Sequence, residues 1–124
     1  MGTVILTEEI LEERTGLYEM DLLKEDGAGF TPGEISTLTI TYYDLDTLEI
    51  INSRDFQDCL NLNNVTLAND GHLTWEIQIT DSIIIDSRKE LEQHIVLFTW
   101  GWDSGARAGS HEIQFPIRNL TLVA

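Results

Sequence analysis

Three histidines, His72, His94 and His111, and a large excess of carboxylates are the groups in this sequence that could do acid–base or metal chemistry. Zinc binding or general-base work needs the imidazoles to converge with one another or with carboxylates. No HExxH helix, Gly-x-Ser-x-Gly elbow or phosphate-cradling glycine loop is present. Asp44, Asp46, Asp70 and Asp103 stand at turns and form a weak candidate Ca²⁺ set, because that ion takes hard oxygen ligands. No loop has the spacing of a dedicated Ca²⁺ site, and Asp opens turns unaided through side chain to backbone hydrogen bonds. Trp75, Trp100 and Trp102 could form a sugar-stacking platform. Cys59 has no nearby histidine or second cysteine, so it reads as a buried thiol. No catalytic residue, cofactor or firm metal ligand is expected.

What these residues can do depends on the strands that carry them. From His94 to Trp102 the chain alternates, with His94, Val96, Phe98, Trp100 and Trp102 on one face and Ile95, Leu97, Thr99 and Gly101 on the other. The breaker-rich stretch Asp103 to Ser110 follows. A second alternating run then sets His111, Ile113, Phe115 and Ile117 against Glu112, Gln114 and Arg118. An antiparallel hairpin that pairs Trp100 with Ile113, Phe98 with Phe115 and Val96 with Ile117 puts both apolar sets on one side. Uncovering that face would forfeit on the order of 1.5 to 3 kcal/mol per large side chain. This register sets His94 opposite Asn119 and His111 opposite Trp102, which scatters the histidines and packs His111 against an indole. Trp75 and Trp100 face inward, while Trp102, beside Asp103 and the Gly105 to Gly109 tip, is the tryptophan expected at the surface.

Elsewhere the pattern is also that of short strands. Tyr18, Met20 and Leu22 alternate with acidic residues, and Leu38, Ile40 and Tyr42 alternate with threonines. A third strand is expected over Leu48 to Asn52, one helical turn over Asp55 to Asn61, and a hairpin over Val65 to Ile79 turning at Asp70-Gly71. Ile83-Ile84-Ile85 reads as an apolar plug in the crossover to the central strand. Residues 1–16 read as an extended N-terminal arm with a turn, followed by a single domain over 17–124. The fold class is all-β, an immunoglobulin-like antiparallel β-sandwich of about seven strands.

The chain has 124 residues, 7 Lys plus Arg against 22 Asp plus Glu, and a formal charge of −15. Such a charge repels phosphate backbones and anionic membranes, so neither nucleic acid nor membrane is expected as a partner. It favours solubility or a basic protein partner. The leading segment Met1 to Glu9 shows no Sec signal, spanning segment or myristoylation pattern, which points to synthesis in the cytoplasm.

The wording of the chain carries a resemblance. Leu38-Thr-Ile-Thr-Tyr-Tyr-Asp-Leu-Asp46, Ile50-Ile-Asn-Ser-Arg54, Gly71-His-Leu-Thr-Trp75, Glu92-Gln-His94, Leu97-Phe-Thr-Trp100 and His111-Glu-Ile-Gln-Phe115 resemble small virion proteins of tailed bacteriophages. The resemblance spans about residues 34 to 120. It implies an immunoglobulin-like structural component of the head, the head–tail junction or the tail, with no catalytic residues, and hence location in the virion.

The expected function is therefore non-enzymatic: a capsid decoration or cement protein, a head–tail junction component or a tail accessory. Its partners would be capsid, neck or tail subunits, or further copies of itself in the particle. Docking is expected through the tip residues Trp102, Asp103 and Arg107. The arm Thr3 to Gly16, with Ile5, Leu6 and Ile10, would act as a clasp that adds a strand to a neighbour. The alternative is a binding module for a host-surface glycan or receptor built on Trp102 to Gly109. An enzyme is the weakest reading, because the titratable groups are expected to be dispersed.

Overall fold

A computed structural model describes residues 3–5, 10–11, 14–24, 27–86, 88–102 and 107–119, with the side chains of 3–5 and 11 excepted. The β-branched and aromatic alternation seen in the sequence becomes two packed sheets. The larger has the order β1-β9-β8-β4-β5, with β2 also pairing β9. Its strands are β1 (Thr3–Ile5), β2 (Ile10–Leu11), β4 (Ile35–Asp44), β5 (Gln57–Asp58), β8 (Leu91–Trp102) and β9 (Arg107–Arg118). The smaller has the order β3-β7-β6, built from β3 (Gly16–Asp21), β7 (His72–Ile77) and β6 (Val65–Leu67). All pairings are antiparallel except those of β1 and β2 with β9, which are parallel. Thr3–Ile5 and Ile10–Leu11 of the arm are therefore strands of the larger sheet, bonded to this chain's own β9 edge and not left projecting, while Gly16 opens β3 of the smaller sheet.

Trp75 of β7 joins the two sheets. Its indole lies 6.0 Å from Phe98, 6.2 Å from Phe115 and 5.4 Å from Tyr42 between ring centroids, edge-on in each case. Quadrupolar rings favour that approach over face-to-face stacking. Leu38, Ile40 and Tyr42 of β4, Val96, Phe98 and Trp100 of β8, and Ile113, Phe115 and Ile117 of β9 complete the larger sheet's inner face. As expected, Trp75 and Trp100 are core, and Cys59 is a buried free thiol.

The register of the central hairpin differs from the expected one. Trp100 pairs with Gly109, Phe98 with His111, Val96 with Ile113 and His94 with Phe115. Residues 107–110, expected in the tip, belong to β9. The displacement is even, so the inward and outward sets keep their faces. Its physical reason lies at Gly109, where a Cβ would come within 2.8 Å of the Trp100 indole. The ring lies across a residue with no side chain, a space that Ile113 could not provide. The expected contact of His111 with Trp102 is likewise replaced, since His111 stacks on Tyr18 with Nε2 2.9 Å from the phenol oxygen.

Two further expectations fail between β4 and β6. Residues 48–52 form no strand; Ile50 makes one isolated bridge to Tyr43, and Leu48, Asn52 and Ser53 have positive φ. Asp55 to Asn61 is not helical, because Phe56 and Asn61 also have positive φ and Gln57–Asp58 pairs with β4. The segment follows the β4 edge through Ile51 N–H to Tyr42 O, Tyr42 N–H to Arg54 O and Cys59 N–H to Leu38 O. Those bonds to the core strand outweigh local helical preference. The closing apolar residues Leu120, Leu122 and Val123 lie outside the described residues.

A candidate functional site at one end of the sandwich

Period-two alternation carries the inner face of β4 through Leu38, Ile40 and Tyr42 to Asp44, and opens that of β8 with Glu92 and His94 before Val96 and Phe98. Register sets Asp44 directly opposite His94. Three titratable side chains thus continue an apolar face at the sheet end. They are 1%, 1% and 0% exposed for Asp44, Glu92 and His94. One donor atom from each lies within 4.8 Å of the others. The histidines do not meet one another, but His94 does meet carboxylates, contrary to the scatter expected from the sequence.

The hydrogen bonds fix how each group is presented. Tyr42 Oη donates to the Asp81 carbonyl at 2.7 Å and lies 2.8 Å from His94 Nδ1. A carbonyl cannot donate, so the hydroxyl proton points at Asp81 and Nδ1 carries the other hydrogen. His94 Nε2 is thereby turned toward Glu92 Oε1 at 2.6 Å and Asp44 Oδ1 at 4.0 Å. At 2.6 Å the ring nitrogen and the Glu92 carboxyl are within direct hydrogen-bond reach. Glu92 also accepts from the backbone N–H groups of Ile85 and Asp86, at 2.8 and 2.9 Å. Asp44 Oδ2 accepts from the Thr47 N–H and hydroxyl, both at 2.9 Å. Its other oxygen, Oδ1, is buried with no hydrogen-bond partner among the described residues. Burial lowers the His94 pKa, opposed by the Glu92 carboxylate, and burial pushes the Tyr42 phenol well above its usual range.

A second buried network adjoins the first through Asp81. Arg54 donates through Nε and Nη2 to Asp81 at 2.6 and 2.9 Å, through Nη1 to Gln57 and the Asn63 carbonyl, and through Nη2 also to Asn64. All five guanidinium N–H groups are therefore used. Asn52 Nδ2 and Gln78 N–H complete the Asp81 carboxylate. The loops on either side of β5, and the crossover into β8, are tied to this one buried charge pair.

Among the described residues, the aspartates expected for Ca²⁺ are not brought together. Asp44 and Trp102 pair with opposite ends of their shared ladder, His94 and Ile35 respectively. Asp103 follows Trp102 and lies outside the described residues. Asp70 packs beside Gly29, next to Phe30, whose ring meets Trp102, so it belongs to the Trp102 end. Asp46 is exposed and ion-paired with Lys89. Of that set, among the described residues, only Asp44 enters the buried cluster, and its partners there are Glu92 and His94.

The expected docking residues have varied fates. Trp102 is half-buried with its ring 5.0 Å from Phe30, so its indole belongs partly to the core and not to an open platform. Arg107 is exposed at the start of β9, opposite Trp102. Ile5 lies in β1 opposite Gln114, and Ile10 packs against the core. Leu6 lies outside the described residues. A segment read as a strand and a helical turn, and not as a docking surface, is more prominent: Leu45, Leu48, Ile50, Phe56 and Leu62 are exposed large apolar residues between β4 and β6.

No protein-family model, no curated protein and no solved structure matches the chain.

Proposed function

We propose that this chain is an immunoglobulin-like module of a tailed-bacteriophage particle that works through protein contacts and not through catalysis. The strand order, with an N-terminal strand parallel to the last one and a three-strand sheet packed opposite, supports the immunoglobulin-like reading. The phage assignment rests on the resemblance in wording between residues 34 and 120. A non-catalytic role fits the burial of Asp44, Glu92 and His94, whose reactive atoms are sealed from a dissolved substrate.

One observation carries the protein-contact reading. Leu48 and Phe56 are 66% and 64% exposed, and both are held at positive φ, 63° and 50°. Left-handed backbone costs a non-glycine residue about 1 to 2 kcal/mol. Strain that points large apolar side chains into water does nothing for the core and is a mark of a working surface. With the charge of −15, such an edge suits a partner that offers an apolar seat with a basic rim. Capsid, neck or tail subunits are that partner in this reading, as a decoration protein, a junction component or a tail accessory.

The test is protein identification in gradient-purified particles, with a Leu48→Ser/Phe56→Ser variant in parallel. The wild-type chain is expected in the particle. The variant should be depleted at least tenfold while its melting temperature stays within a few degrees. Particles lacking the wild-type chain would refute the proposal, and undiminished incorporation of the variant would refute the assignment of this edge.

A further inference from the structure

We propose that Asp44, Glu92 and His94 form a buried site for one divalent transition-metal ion of the zinc type. The inference is independent of the phage reading and rests on where each donor atom is aimed once its outer neighbours are satisfied. His94 gives Nδ1–H to Tyr42 Oη, which leaves Nε2 pointing at both carboxylates. Asp44 commits Oδ2 to Thr47, which leaves Oδ1 buried without a partner among the described residues. Glu92 accepts one backbone N–H on each oxygen, from Ile85 and Asp86, and presents Oε1 to His94 Nε2. A metal-binding histidine ordinarily donates its other N–H to an oxygen acceptor, and bound carboxylates are in turn hydrogen-bonded. Every member of the trio meets that requirement.

Distances and charge agree with a small ion. Donors about 2.0 to 2.2 Å from a tetrahedral centre stand roughly 3.3 to 3.6 Å apart. The Nε2 to Oε1 and Nε2 to Oδ1 separations of 2.6 and 4.0 Å fall on either side of that span. An ion seated between the three donors would widen the first separation and narrow the second. Two carboxylates and a neutral imidazole present two negative charges, which a dipositive ion cancels in a water-poor setting. Ca²⁺ does not fit, because it takes six to eight oxygen ligands, and this cluster supplies two carboxylates and a nitrogen. Three protein ligands leave a fourth position for a water.

All three donors are buried, so equilibrium readouts after long incubation are appropriate. The test is calorimetric and mass-spectrometric titration of the dialysed full chain with Zn²⁺ alone, with Co²⁺ as a spectroscopic probe of N/O tetrahedral coordination. One ion per chain is expected. Asp44→Asn, which keeps an acceptor for Thr47, should weaken binding at least tenfold while remaining folded by circular dichroism. Tyr42→Phe, which removes the orienting hydroxyl, should weaken it about 10- to 100-fold. The exposed His72, bonded to Asp21 and Glu19, is a rival surface ligand, so His72→Ala is expected to retain the ion. Absence of binding, unchanged binding in Asp44→Asn, or loss in His72→Ala would each overturn the proposal.

Discussion

Replacing Arg54 by Met should be among the most damaging single changes in this protein, and the damage should be partly reversed by a second change that is harmful alone. Arg54 is 1% exposed and Asp81 is 0% exposed. Removing the guanidinium leaves a buried carboxylate held by Asn52 and the Gln78 N–H with no cation. Breaking a buried pair from one side costs about 3 to 5 kcal/mol. At roughly 4 °C per kcal/mol for a domain of this size, that is a drop of about 12 to 20 °C. Asp81→Asn in the wild type should also destabilise by several kcal/mol, because it strands Arg54. In the Arg54→Met background the same change removes the orphaned charge yet keeps an oxygen for Gln78 N–H. There it should raise stability by at least about 1 kcal/mol. Urea unfolding of the four proteins at pH 7 measures the cycle. If Asp81→Asn lowers stability in both backgrounds, the pair is not the closed unit described above.

His72 is held above its usual pKa of 6.5 by its hydrogen bond to Asp21 first and Glu19 second. Because the folded value is the higher one, its stabilising contribution is complete below about pH 6.5 and is lost as pH rises through the folded pKa. Proton NMR titration should show His72 above 6.5, falling in Asp21→Asn; an unchanged value there would show that Asp21 is not the cause. The Cys59 thiol is pushed up to about 12 by burial, so disulfide-exchange reagents at pH 8 should label it only on unfolding, and rapid labelling of the native chain would contradict its placement. Gly109→Ala puts a methyl group within 2.8 Å of the Trp100 indole, and overpacking of that kind costs about 1 to 3 kcal/mol, readable as a lowered urea midpoint. An unchanged midpoint would argue against the Trp100–Gly109 register.

Alternation by twos was enough to place Trp75, Trp100, Phe98 and Phe115 inside an all-β sandwich, because side-chain direction along a strand is a local property of the backbone. The same rule already put Asp44 on the face of Leu38, Ile40 and Tyr42, and Glu92 and His94 on that of Val96 and Phe98. Polar residues continuing an apolar face were the available signal for the cluster. What alternation cannot supply is which residue stands opposite which. That depended on the Trp100 indole needing the bare backbone of Gly109, a contact between strands that no local pattern encodes. The loop from Asp44 to Asn64 departs from the expected strand and helical turn for a related reason: Asn52, Asn61, Asn63 and Asn64 suit positive φ locally, but Leu48, Ser53 and Phe56 do not, and the loop's course follows hydrogen bonds to β4 and the Arg54 network. Sequence thus determined the faces of the strands, the aromatic core and the acidic surface. Tertiary structure alone decided the pairings, and with them the meeting of Asp44, Glu92 and His94, because proximity across a sheet is a property of register and register is settled by packing.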